Sequence, residues 1–120
     1  MRQAIVLPLP SEILFSAAGP KYDRRLTDKI LAAFAHAYEA DERGIAAMLR
    51  RALEEAERAS AGPGAERRLS SVLRQADLWT EFVDARQAYK RAAARTPPDP
   101  EAVECAGLEL LEAYRRWSAA

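Results

Sequence analysis

Apolar residues recur at spacings of three and four along most of the chain, and no stretch shows the strict apolar–polar alternation of a half-buried strand. The longest such pattern covers residues 26–53. In it Ile30, Leu31, Phe34 and Tyr38 form one set, and Ile45, Met48, Leu49, Ala52 and Leu53 a second. Each set predicts an amphipathic helix with a stripe turned to a core. Thr27 is placed as an N-cap, with Leu26 and Leu31 positioned for a hydrophobic staple and Asp28 favouring the first-turn dipole. Two structures fit. One is an unbroken helix from Thr27 to about Ala59; the other is a hairpin turning around Ala40 to Arg43. The shared face of the two sets favours the first. The polar gap at Asp41, Glu42 and Arg43 and the helix-weakening Gly44 favour the second, which is the preferred reading.

The run SAGPG at 60–64 is the clearest break, because two glycines and a proline cannot continue a helix. From Ala65 the pattern resumes and then changes phase. Leu69, Val72, Leu73, Ala76, Trp79 and Val83 share one face, while Leu78, Phe82, Ala85, Tyr89 and Ala92 lie about half a turn away. One long helix held between neighbours is the preferred reading, and a turn near Trp79 to Glu81 is the alternative. Thr96, Pro97 and Pro98 end the segment. Asp99 as N-cap, Pro100 at the first helical position and Glu101 in the first turn start the last helix. Its stripe runs through Val103, Ala106 or Gly107, Leu110 or Leu111, Tyr114 and Trp117. The predicted fold is all-α: one domain over residues 1–120, a small helical bundle of two packed helical hairpins (21–60 and 65–120) with a short N-terminal helix and extended arm (1–20). Phe34, Leu49, Trp79, Phe82 and Leu110 are its expected buried anchors.

Residues 69–110 resemble the tetratricopeptide repeat, a helix–turn–helix unit of about 34 residues. Leu69, Val72 and Ala76 match its first helix, Phe82, Ala85, Tyr89 and Ala92 its turn and second helix, and Pro97 its terminal proline. Val103, Ala106 and Gly107 read like the opening of a next unit, and residues 27–53 look like a similar hairpin outside that phase. The resemblance implies a concave surface that binds another protein, and no catalysis.

Basic and acidic residues balance at 18 each, so no net field draws the chain to nucleic acid or to a membrane. Alanine is the commonest residue, which raises helix propensity and lets helices approach closely. Cys105 is the only cysteine, so no intramolecular disulfide can form, and a reducing, cytoplasmic setting is expected. The apolar start is interrupted by Pro8, Pro10 and Glu12, unlike a signal peptide, and no run is long enough to span a membrane.

Chemistry is sparse. His36 is the only histidine, whereas a di-iron bundle needs two Glu-x-x-His elements, so no metal site is expected. Glu101 and Glu104 lie beside Cys105, and such acidic surroundings argue against a nucleophile. No phosphate-loop motif is present, and no catalytic residue or cofactor is assigned. Four Arg-Arg pairs, at 24–25, 50–51, 67–68 and 115–116, sit among acids such as Glu54, Glu55, Glu57 and Glu66, which predicts solvated helix faces. The N-terminal arm carries the best functional hint. Ile5, Val6, Leu7 and Leu9 are too few for a membrane, and Pro8 excludes a central strand, so the arm either lies along the bundle or reaches a partner. Such a partner is another protein or a second subunit of a homodimer. The expected role is a non-enzymatic protein–protein interaction module or small regulatory subunit. The alternative is a small nucleic-acid-associated regulator using Arg24, Arg25, Arg67 and Arg68.

Overall fold

The computed structural model of the 120-residue chain describes Pro10, residues 25–59, Gly62 and residues 64–119. These residues form four helices and no strands: α1 (Leu26–Glu39), α2 (Arg43–Ala59), α3 (Ala65–Ala94) and α4 (Pro100–Ser118). The protein is an all-α helical bundle. Its helices group into two compact units, one reaching to Val83 and the other beginning at Asp84, and α3 runs unbroken from one into the other.

The hairpin reading of residues 27–59 holds, and the reason lies in residues 40–42. Asp41 adopts φ 62°, the left-handed conformation that Asp tolerates better than most side chains. Glu42 N–H donates to the Ala37 carbonyl at 2.9 Å, and Asp41 N–H to that of Tyr38 at 3.1 Å. This is the Schellman pattern that ends a helix by satisfying its last carbonyls. Arg43 then closes the turn from outside: its Nε lies 3.1 Å from Asp41 Oδ1, and its guanidinium lies 4.1 Å from the centre of the Tyr38 ring.

Four details of the first unit differ from the sequence reading. The N-cap of α1 is Arg25, which offers no capping side chain, and Thr27 lies buried in the first turn. Leu26, expected as half of a staple, is 65% exposed. On α2 the buried positions are Ala46, Leu53 and Glu57, so Ile45 and Met48 face outward and Leu49 is only partly buried at the edge of the core. The physical reason is that α2's apolar arc is wider than the face its neighbours cover. The core takes one edge of the arc and leaves the other outside. Finally, His36, whose place on a helix flank predicts partial burial, is exposed.

Leu31, Phe34 and Ala37 of α1, Ala46 and Leu53 of α2, and Val72 and Ala76 of α3 make the core of this unit. Trp79 and Phe82 stack one turn apart, with ring centroids 5.5 Å apart and an angle of 12° between planes. The indole Nε1–H donates to the Ala35 carbonyl at 3.1 Å, so a buried polar group is satisfied. Leu78, Trp79, Phe82 and Val83 are all buried, which explains how one helix accommodates apolar residues on opposite sides. Because α3 is continuous there, the resemblance to a tetratricopeptide repeat places its internal turn within an unbroken helix.

In the second unit α4 starts as the sequence predicts. The Asp99 carboxylate accepts from the backbone N–H groups of Glu101 and Ala102 at 3.1 and 3.4 Å, with Pro100 in the first turn. Gly107, Leu110 and Ala113 form its buried edge. Gly107 lies against the Tyr89 ring of α3: a Cβ added there would sit 3.5 Å from Cε2.

Candidate interaction surface

At one end of the first unit, an acid lies where the core pattern of α2 calls for an apolar residue. Glu57 follows Ala46 and Leu53 at helical spacing and has no exposed surface. Two arginines from outside α2 cover it. Arg25, preceding α1, places Nη2 2.6 Å from Oε2, and Arg68, in the first turns of α3, donates from Nε to Oε1 at 2.8 Å. Both guanidinium groups remain partly exposed, so Glu57 is roofed by its own counter-ions rather than sunk among apolar groups. Burial alone would raise the carboxyl pKa. The Arg68 hydrogen bond and the Arg25 charge, aided by the nearby Thr27 hydroxyl and the Arg68 charge, outweigh burial and hold it below the ordinary value. The Thr27 oxygen itself makes no hydrogen bond of regular geometry. This triad ties the start of α1, the end of α2 and the start of α3 together.

Beside the triad, Leu26, Ala56 and Ala59 join Arg25 and Thr27 around an open concavity of about 370 Å³. From this notch an apolar stripe runs the length of α2. Ala59 and Ala56 lead to Ala52, from which Leu49 and Met48 lie three and four residues back, and Ile45 lies a further turn on. Met48 is 57% exposed and Ile45 47%. Arg51 and Glu55 border the stripe on its solvent side. Among the described residues Arg51 has no ion pair, while Glu55 pairs only with the exposed Arg58, at 3.4 Å.

The residues singled out from the sequence fall differently. Ile5, Val6, Leu7, Leu9 and Arg24 lie outside the described residues, as do residues 11–20, where the sequence, with Ser11 as cap and Gly19 and Pro20 as stop, predicts the short N-terminal helix. Arg25 and Arg68 are brought together, but onto Glu57, whereas Arg67 is exposed in a recess shared with Gly62, Gly64 and Glu66. Other arginines also pair with acids: Arg50 with Asp77 of α3 at 2.8 Å, and, within their own helices, Arg58 with Glu54 and Glu55 and Arg115 with Glu112. Cys105 is exposed on α4, its Sγ 3.8 Å from Glu109 Oε1. Among the described residues, no three His, Cys, Asp or Glu side chains gather to hold a metal, and no helix is long and apolar enough to cross a membrane.

Sequence reasoning placed Glu57 on a solvated face and therefore missed the triad. The signal was present, since Glu57 stands four residues after Leu53 and eleven after Ala46, in register with the core. Arg86 is a second charged residue that the pattern did not mark as buried. Comparison with protein-family models, curated proteins and solved structures finds no match to the chain.

Proposed function

We propose that this protein is a non-enzymatic interaction module, acting as a small regulatory or accessory subunit, and that it engages its partner through the outer stripe of α2. The supporting observation is the run of exposed Leu26, Ile45 and Met48 joined by alanines along one line. Scattered exposed apolar side chains need no explanation, but a contiguous apolar strip bordered by charge marks a binding surface. The triad supports the same reading: it anchors the ends of α1, α2 and α3, so the stripe sits on a braced element. Nucleic-acid binding draws less support, because two of its four arginines are turned onto Glu57 and the other paired arginines are interspersed with acids.

The test is affinity capture from native cells with tagged wild-type protein, with Met48→Glu, and with Leu108→Glu as a control on an exposed residue of α4. Loss of captured protein with Met48→Glu but not with Leu108→Glu is the expected result. A captured set that is the same for all three, or one made up of nucleic acid, would overturn the reading.

A further inference from the structure

The geometry points to a second copy of this chain as the occupant of the α2 stripe, packed antiparallel about a two-fold axis near Leu53. This assignment rests on the reading of the stripe as an interaction face and names its partner.

Two gradients run along α2 in the same direction. The first is size: Ile45, Met48 and Leu49 crowd the N-terminal half, whereas the stripe continues through Ala52, Ala56 and Ala59 in the C-terminal half. The second is charge. Up to Arg51 the helix carries Arg43, Arg50 and Arg51 and no acid; beyond it come Glu54, Glu55, Glu57 and a single arginine, Arg58. This order opposes the helix dipole, which favours acids at the N-terminus and bases at the C-terminus, and α2 has no acid in its first turn. Most of these charges are taken up within the chain, Arg43 by Asp41, Arg50 by Asp77 and Glu57 by Arg25 and Arg68, which leaves Arg51 and Glu55 as the pair that borders the stripe.

An antiparallel copy complements both gradients at once. With the two-fold axis near Leu53, Met48 of one chain lies opposite Ala59 of the other, Leu49 opposite Ala56, and Arg51 opposite Glu55. Each pair sums to nearly the same register, and each occurs twice by symmetry, as an isologous interface requires. The first two set a large side chain on a small one, which close-packed helices need. Met48 would then enter the notch between Leu26, Ala56 and Ala59. The third gives Arg51 a carboxylate that its own chain does not supply among the described residues. A parallel copy would instead oppose large to large and would leave Arg51 and Glu55 at different levels along the pair.

The experiment measures solution mass and cross-linking of the full chain. At about 100 µM, well above a micromolar Kd, the wild type should show twice the 13.3 kDa of one chain. Met48→Glu should halve that mass while leaving helix content unchanged and melting equal to that of dilute wild type, since Met48 is outside the core and only the stabilisation from association is lost. For orientation, Met48→Cys and Ala59→Cys are combined in a Cys105→Ser background. Within one helix these positions are about 16 Å apart, too far for a disulfide, so oxidation should give a covalent dimer. A monomeric wild type overturns the assignment, as does a dimer that survives Met48→Glu. A covalent dimer formed by Met48→Cys alone, without Ala59→Cys, overturns the antiparallel register, because it places Met48 opposite its own counterpart. A monomer whose captured partners still vanish with Met48→Glu sinks the second copy while leaving the interaction-module reading intact. A monomer whose captures are unaffected sinks both.

Discussion

Replacing Glu57 by glutamine keeps the shape of the side chain and removes its charge. In the native protein the carboxylate accepts from two guanidinium groups at 2.6 and 2.8 Å. Hydrogen bonds to charged groups contribute about 1.5–3 kcal/mol each when sheltered. Here the arginine side chains are 47% and 34% exposed, so solvent screens them and the lower end applies. Glu57→Gln also turns an amide N–H₂ toward at least one guanidinium donor. The expected loss is therefore about 2 kcal/mol. The pH dependence is the sharper test. The folded-state pKa of Glu57 lies below its unfolded value, so its contribution is present above the unfolded pKa, near 4.5. That contribution fades as pH falls through the folded pKa. Urea titrations from pH 7 down to 3 should show the difference between wild type and Glu57→Gln shrinking below about pH 4.5. Arg68→Met should cost at least as much as Glu57→Gln at pH 7, since it takes a guanidinium group away from a covered carboxylate that stays charged. A Glu57→Gln protein as stable as wild type at pH 7, or a difference that does not change with pH, would refute the account of the triad.

Gly44 sits in the first turn of α2 with a negative φ and open space around its missing Cβ, so Gly44→Ala should stabilise the fold by up to about 1 kcal/mol, read from the denaturation midpoint. Trp79→Phe removes the donor to the Ala35 carbonyl and part of a buried stack, and should lower stability by about 2 kcal/mol in the same assay. Leu49→Ala should cost no more than about 2 kcal/mol, the bottom of the range for a fully buried leucine, because Leu49 lies at the core edge. Asp99→Ala should cost about 1 kcal/mol through loss of the α4 cap, and Asp99→Ser should recover most of it.

Helix type and helix ends were legible wherever backbone chemistry set them. Asp99 with Pro100 announced α4, the two glycines of the 60–64 loop announced the break before α3, and the polar gap at 41–43 announced the hairpin. Which edge of an apolar arc faces inward was not legible. Ile45, Met48 and Leu49 have the same hydrophobicity pattern whether covered or not, and the choice is made by neighbours remote in sequence. The triad escaped for a related reason. A glutamate among other glutamates looks solvated until two arginines, 32 residues before it and 11 after it, are known to converge on it. The long α3 was the narrower success. Its two apolar sets fit a single helix only because Leu78, Trp79, Phe82 and Val83 are all covered, which is a property of the surroundings and not of the repeat in the sequence.

The continuity of α3 also governs how the molecule can be divided. The boundary between its compact units falls between Val83 and Asp84, in the middle of a helix, where Phe82 and Val83 have no exposed surface. A gene fragment cut at that boundary would end with its anchoring aromatics on a fraying terminus, where the last carbonyls have lost their helical partners. The two units therefore cannot be inherited, exchanged or expressed as separate pieces in the way of domains strung on a linker.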